Sequence, residues 1–137
     1  MEPAELFSVF LAALASFMVG WLWYSPVLFG KVWMKEVWSH QKMEVKASDA
    51  IRSMSIALAL QVLAVFTLAH FLFLEDGLNG AYGQALETSL WIWAAFMLPL
   101  NLSGFLWEGR KFKLAAIGAG QSLASLVVAA VVLTAIL

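Results

Sequence analysis

WLWYSPVLFGKVWMK, residues 21–35, decides how the chain is read. It begins as the end of an apolar helix, meets Pro26, passes Gly30 and continues with aromatic residues and lysines. Proline lacks a backbone donor and disfavours helical geometry at the preceding residue, here Ser25. The first helix therefore stops, and positive charge follows at Lys31 and Lys35. This is the pattern of a membrane span ending at a headgroup layer. Trp21, Trp23 and Tyr24 carry apolar rings with one polar tip, which suits that layer. Beyond the proline, Val27, Leu28, Phe29, Val32, Trp33, Val37 and Trp38 interleave with Lys31, Lys35 and Glu36. That pattern predicts a short interfacial helix over about residues 27–38, with lysines reaching anionic headgroups. It reads either as an anchor that sets helix depth or as a gate or lipid-binding lip.

Composition points the same way. Of 137 residues, 63% are hydrophobic and 12% charged, against about 25% charged in a soluble domain. A soluble fold of this size cannot hide so much apolar surface. Net charge is −1, which gives no reason to expect nucleic acid. With no cysteine, disulfides and thiolate chemistry are excluded. His40 and His70 are too far apart for a metal-site spacing. No nucleophile with a histidine–carboxylate set and no glycine-rich phosphate loop is legible. No enzyme, metal or cofactor is expected.

Four apolar stretches reach the roughly 20 residues that a crossing needs. They run over about residues 6–24, 53–74, 86–107 and 114–137. The predicted fold is an all-α membrane protein, one transmembrane domain over residues 1–137. Its four transmembrane helices form two hairpins of parallel topology, with the short interfacial helix after the first span. The start, MEPAELF, places acids where a cleaved signal has basic residues. Every Lys and Arg lies in the first or third loop: Lys31, Lys35, Lys42, Lys46 and Arg52, then Arg110, Lys111 and Lys113. By the positive-inside rule both loops are cytoplasmic and both termini extracytoplasmic. A multi-pass protein of the inner (plasma) membrane is expected.

The hairpins look alike. Gly20-Trp21-Leu22-Trp23 is similar to Gly104-Phe105-Leu106-Trp107, and Ala59-Leu60-Gln61-Val62-Leu63-Ala64 to Ala119-Gly120-Gln121-Ser122-Leu123-Ala124. A duplicated hairpin would place the copies about a two-fold axis along the membrane normal.

Polar side chains inside spans are costly and usually face protein. Gln61 follows Arg52 by nine residues, Gln121 follows Lys113 by eight, and Asn101 precedes Arg110 by nine. A rise of 1.5 Å per residue puts all three about 12–14 Å from the basic boundary, near the midplane of a core of about 30 Å. Gln121 shares a helix face with Gly118, Ser122 and Ser125. Pro99 frees the carbonyl of Ala95 at the same depth, and an amide can donate to a freed carbonyl. The expectation is that Gln61, Asn101 and Gln121 face one another, with Ser122 and Ser125 beside them. They form either an interhelical hydrogen-bond network or a small polar cavity.

Two further groups of residues form recognisable motifs. The first is Trp23-Tyr24-Ser25-Pro26 with Phe29-Gly30 and Trp33. The second is Trp107-Glu108-Gly109-Arg110, leading into the span Ile117 to Ser125. In these the chain resembles a bacterial family catalogued as domain of unknown function 1761. The resemblance implies a small four-helix integral membrane protein with no established activity. Glu108 and Arg110 then belong with the first motif at the cytoplasmic interface.

Two functions fit the sequence. One is a transporter or channel subunit for a small solute, acting as a homo-oligomer in the bilayer. The other is a non-transporting structural or accessory protein packed against another membrane complex. No carboxylate lies deep in a span, so the usual carrier of a proton-coupled multidrug exporter is missing.

Overall fold

The computed structural model describes residues 3–37, 47–74, 82–107, 109 and 111–136. Among these, four helices are long and apolar enough to cross a membrane, and a short helix follows the first. The elements are α1 (Pro3–Trp23), α2 (Gly30–Val37), α3 (Ala47–Leu74), α4 (Tyr82–Ile92), a π-helical turn (Trp93–Met97), α5 (Leu98–Trp107) and α6 (Phe112–Ile136). At 1.5 Å per residue, even the 21 residues of α1 cover a hydrocarbon core of about 30 Å. The chain has the architecture of a multi-pass membrane protein.

The element bounds differ from expectation in instructive places. Helix α3 starts at Ala47 rather than near Ser53, because Ser48, Asp49 and Arg52 extend the helix beyond its apolar part. The third span starts at Tyr82 rather than near Leu86. The interfacial helix begins at Gly30, not Val27, since residues 26–29 are taken up by a turn. Around Pro99 the backbone widens instead of leaving one carbonyl to an amide. The Leu98 N–H reaches back five residues to the Trp93 carbonyl, a π-type turn. The Asn101 side chain donates to the Met97 carbonyl at 2.8 Å, not to Ala95.

Packing centres on α6, which lies most extensively against α1 and then against α4 and α5. Helix α3 packs mainly on α1 and only slightly on α4 and α6. A two-fold relation between hairpins would make α3 meet the third span as broadly as α1 meets α6. It does not, so the similar segments sit in unlike surroundings. Trp107 is 86% exposed, whereas its counterpart Trp23 reaches into the bundle.

The tight core occupies one half of the bundle, at the end opposite the basic loops. There Val9, Ala12 and Ala13 of α1 meet Leu68, Ala69 and Leu72 of α3 and Ala129, Ala130 and Leu133 of α6. Small residues let these backbones approach closely. Toward the basic end, α3 separates from its neighbours, and residues 51–57 are all exposed. Phe7, Met18, Leu60, Leu63, Trp91, Phe96 and Leu100 are exposed around the bundle. Contiguous apolar surface of that kind is rare on soluble monomers and suits acyl chains.

Candidate functional site

The turn after α1 is built by the residues of the opening motif. The Ser25 hydroxyl donates to the Leu22 carbonyl at 2.6 Å, closing the last turn of α1. The backbone then folds back, with Phe29 N–H on the Trp23 carbonyl at 3.0 Å and Gly30 N–H on the Ser25 carbonyl at 2.9 Å. A Cβ at position 30 would sit 2.3 Å from the Tyr24 carbonyl oxygen and 2.6 Å from the Ser25 carbonyl carbon. Only glycine fits such an approach. Trp23 packs on Phe29 with ring centroids 4.7 Å apart, and Tyr24 meets Trp33 edge-on at 5.6 Å.

This turn aims Trp23 at α6. Its indole N–H donates to the Ile117 carbonyl at 3.1 Å, and its ring lies where a side chain on Gly120 would be. Trp93, from the π turn, donates to the Ala119 carbonyl at 2.8 Å. The Asn101 carbonyl oxygen occupies the place of a side chain on Gly118. One short segment of α6 thus receives α1, the π turn and α5. Its glycines admit the large groups and its carbonyls accept from the indoles. Ser122 turns back onto α6, donating to the Gly118 carbonyl at 2.9 Å.

The amides divide. Gln61 of α3 donates from Nε2 to the Ser16 hydroxyl at 2.8 Å. Gln121 donates to the Ser125 hydroxyl at 2.8 Å, and Ser125 donates to the Ser16 carbonyl at 3.4 Å. Ser16 therefore links α3 to α6 across α1. Gln61 and Gln121 also line the same two cavities. The larger, about 530 Å³, is a cleft between α1 and α3 bounded by Ser16, Gly20, Trp21, Pro26, Met54 and Ala57. The smaller, about 200 Å³, continues past the glutamines between Ala64, Val65, Met97, Ser122, Ser125 and Ala129. Asn101 lines neither; it joins α5 to α6 instead. Of the three amides, only two share a space.

At the basic end, Glu36 of α2 pairs with Lys111 at 2.8 Å and lies 3.9 Å from Lys113. The hydrogen bond from Lys111, together with nearby positive charge, holds the Glu36 carboxyl below its usual range. This link between α2 and the start of α6 was not legible, because a salt bridge across two loops leaves no spacing signal. Phe29 is exposed and Trp33 half-buried, while Lys31 and Lys35 are exposed. Glu108 and Arg110 lie outside the described residues. Ser16 and Gly20 were also missed in the sequence, since a serine and a glycine in an apolar helix look like ordinary small-residue packing.

The family model described as Protein of unknown function (DUF1761) matches residues 7–134. No curated protein and no solved structure matches the chain.

Proposed function

The chain belongs to the DUF1761 family, and from that premise we propose that it is a bacterial inner-membrane protein that passes a small neutral solute across the bilayer. The observation that carries the reading is the pair of cavities meeting at Gln61 and Gln121. Met54, on the larger, lies two residues past Arg52. Ala129, on the smaller, lies sixteen residues past Lys113. From the level of Met54 to that of Ala129 is about 21 Å of helix rise within a hydrocarbon core of about 30 Å. The two spaces together therefore extend through most of a membrane. Among the described residues, no Lys, Arg, His, Asp or Glu lines either cavity. An ion entering them would lose its water without gaining a countercharge, so the solute is neutral. The basic loops face the cytoplasm and both termini face outward.

Copies of the chain associate through the third span, the least buried of the four. Its outer face carries Trp91, Phe96 and Leu100. Cross-linking in membranes distinguishes a homo-oligomer from an accessory subunit bound to a different protein on that face. The transport reading is tested by uptake into liposomes holding purified protein. Glycerol or urea should enter and sodium should not. Gln61→Leu combined with Gln121→Leu should cut uptake about tenfold or more while thermal stability in detergent changes by a few degrees. Uptake unchanged in that variant would overturn the reading.

A further inference from the structure

Which chemistry the glutamine level accepts follows from the way the two amides are fixed. Ser16 spends its hydroxyl proton on the Ala13 carbonyl at 3.0 Å. Its oxygen can therefore only accept from Gln61, which sets Nε2 toward Ser16 and leaves Oε1 away from it. Ser125 spends its proton on the Ser16 carbonyl, so it too accepts, and Gln121 is oriented in the same sense. Neither Oε1 receives a hydrogen bond from any described residue. No fully buried side-chain oxygen or nitrogen among the described residues lacks a partner. The two carbonyl oxygens are therefore reachable, and what they meet is the content of the cavities they line.

Apart from Ser16, Tyr24, Ser25 and the indole N–H of Trp21, the rest of the wall is carbon. Phe17, Trp21, Pro26, Met54 and Ala57 line the cleft, and Met54 and Trp21 are themselves 48% and 65% exposed on the outside of the bundle. The cleft therefore opens on the outside of the bundle at its basic end, where Trp21 and Pro26 lie near the headgroup layer. Its volume of about 530 Å³ falls among ordinary small-molecule sites, roughly 300–1,000 Å³. A pure hydrocarbon would leave both oxygens unpaired. At the glutamines, an acceptor-only molecule would set oxygen against oxygen. A carboxylate would add a charge with no partner.

We propose that the cleft between α1 and α3 binds a neutral molecule with an apolar body and a hydrogen-bond donor, an alcohol or primary amide, whose donor group is held by the carbonyl oxygens of Gln61 and Gln121. This rests on the transport reading above only in sharing its site. The test measures equilibrium binding of radiolabelled 1-octanol, octyl methyl ether and octanoate to the full chain in lipid nanodiscs, with concentrations referenced to the bilayer. Octanol should bind about tenfold tighter than the ether, the worth of one hydrogen bond, and octanoate weakest. In Gln61→Leu with Gln121→Leu the preference for octanol should fall below about twofold. Ala57→Trp, which fills the cleft and leaves both amides, should abolish octanol binding. Equal binding of octanol and ether to the unaltered protein would overturn the proposal whether or not the variants fold. So would a preference that survives loss of both amides. Preference without flux removes the transport reading and leaves this one. Flux without preference does the reverse.

Discussion

Gly30 is the residue on which the opening motif turns. A methyl there meets three backbone atoms that cannot move aside without opening the turn. Gly30→Ala should cost about 1–3 kcal/mol, the usual range for overpacking, and lower the melting temperature in detergent. Gly83→Ala is the control. A Cβ at Gly83 meets nothing within 4 Å, so alanine in α4 should be neutral or slightly stabilising. Equal losses in the two variants would contradict this account of the turn. Trp23→Phe keeps the ring contact with Phe29 and removes the donor to Ile117. It should cost about 1 kcal/mol, in line with interhelical hydrogen bonds measured in membranes. The sequence placed Trp23 at a helix end, which is where it lies. Periodicity says which side of a helix a residue occupies only relative to its neighbours, so the partner on α6 was out of reach. The depth of the glutamines was legible for the converse reason, since rise along a helix is fixed while rotation about it is not.

Helix α2 is tied to the bundle by its turn and by Glu36. The Glu36 carboxyl titrates below its unfolded value because Lys111 donates to it. The pairing therefore contributes above the ordinary carboxylate range, near pH 4.3, and is lost as pH falls through the lowered value. Lys111 is more than half exposed, so the effect is modest and screened by salt. A spin-label distance between α2 and α6 should be constant from pH 7 to about 5 and broaden as the pH drops further. Glu36→Gln should show the broad distribution at pH 7. An unchanged distance in that variant would mean the turn alone holds α2. Element order was readable in the sequence, because runs of apolar residues near bilayer length and a proline at Pro26 leave few alternatives. The π turn was not. Pro99 announces a missing donor, but whether the backbone bends, widens or borrows a side chain depends on what packs beside it, here Trp93 against α6.

The whole molecule is tight at one end and open at the other, and this asymmetry was invisible to composition. Both halves of α3 are apolar, yet only the half from Val65 to Leu72 is buried against α1 and α6. An apparent repeat between the hairpins suggested symmetry, but the contacts are unequal. The halves differ in side-chain size on α1, where Ala12 and Ala13 lie in the core and the larger Phe17 and Trp21 line the cleft. The proposed orientation rests on the charge of the loops and is checked in intact cells with an impermeant thiol reagent, since the native chain has no cysteine. Tyr82→Cys should label and Lys111→Cys should not; the opposite pattern would invert the topology. The same cysteine-free background tests the central claim that Gln61 and Gln121 line cavities that water reaches. Single cysteines at Met54 and Ala57, where the cleft opens to the outside, and at Ala64 and Ala129 on the inner cavity are compared with cysteines at Leu60 and Leu63, which are exposed but line neither cavity. In proteoliposomes, a small water-soluble thiol reagent should modify the first group at least about tenfold faster than the second. Equal and slow modification at all six positions would contradict the account.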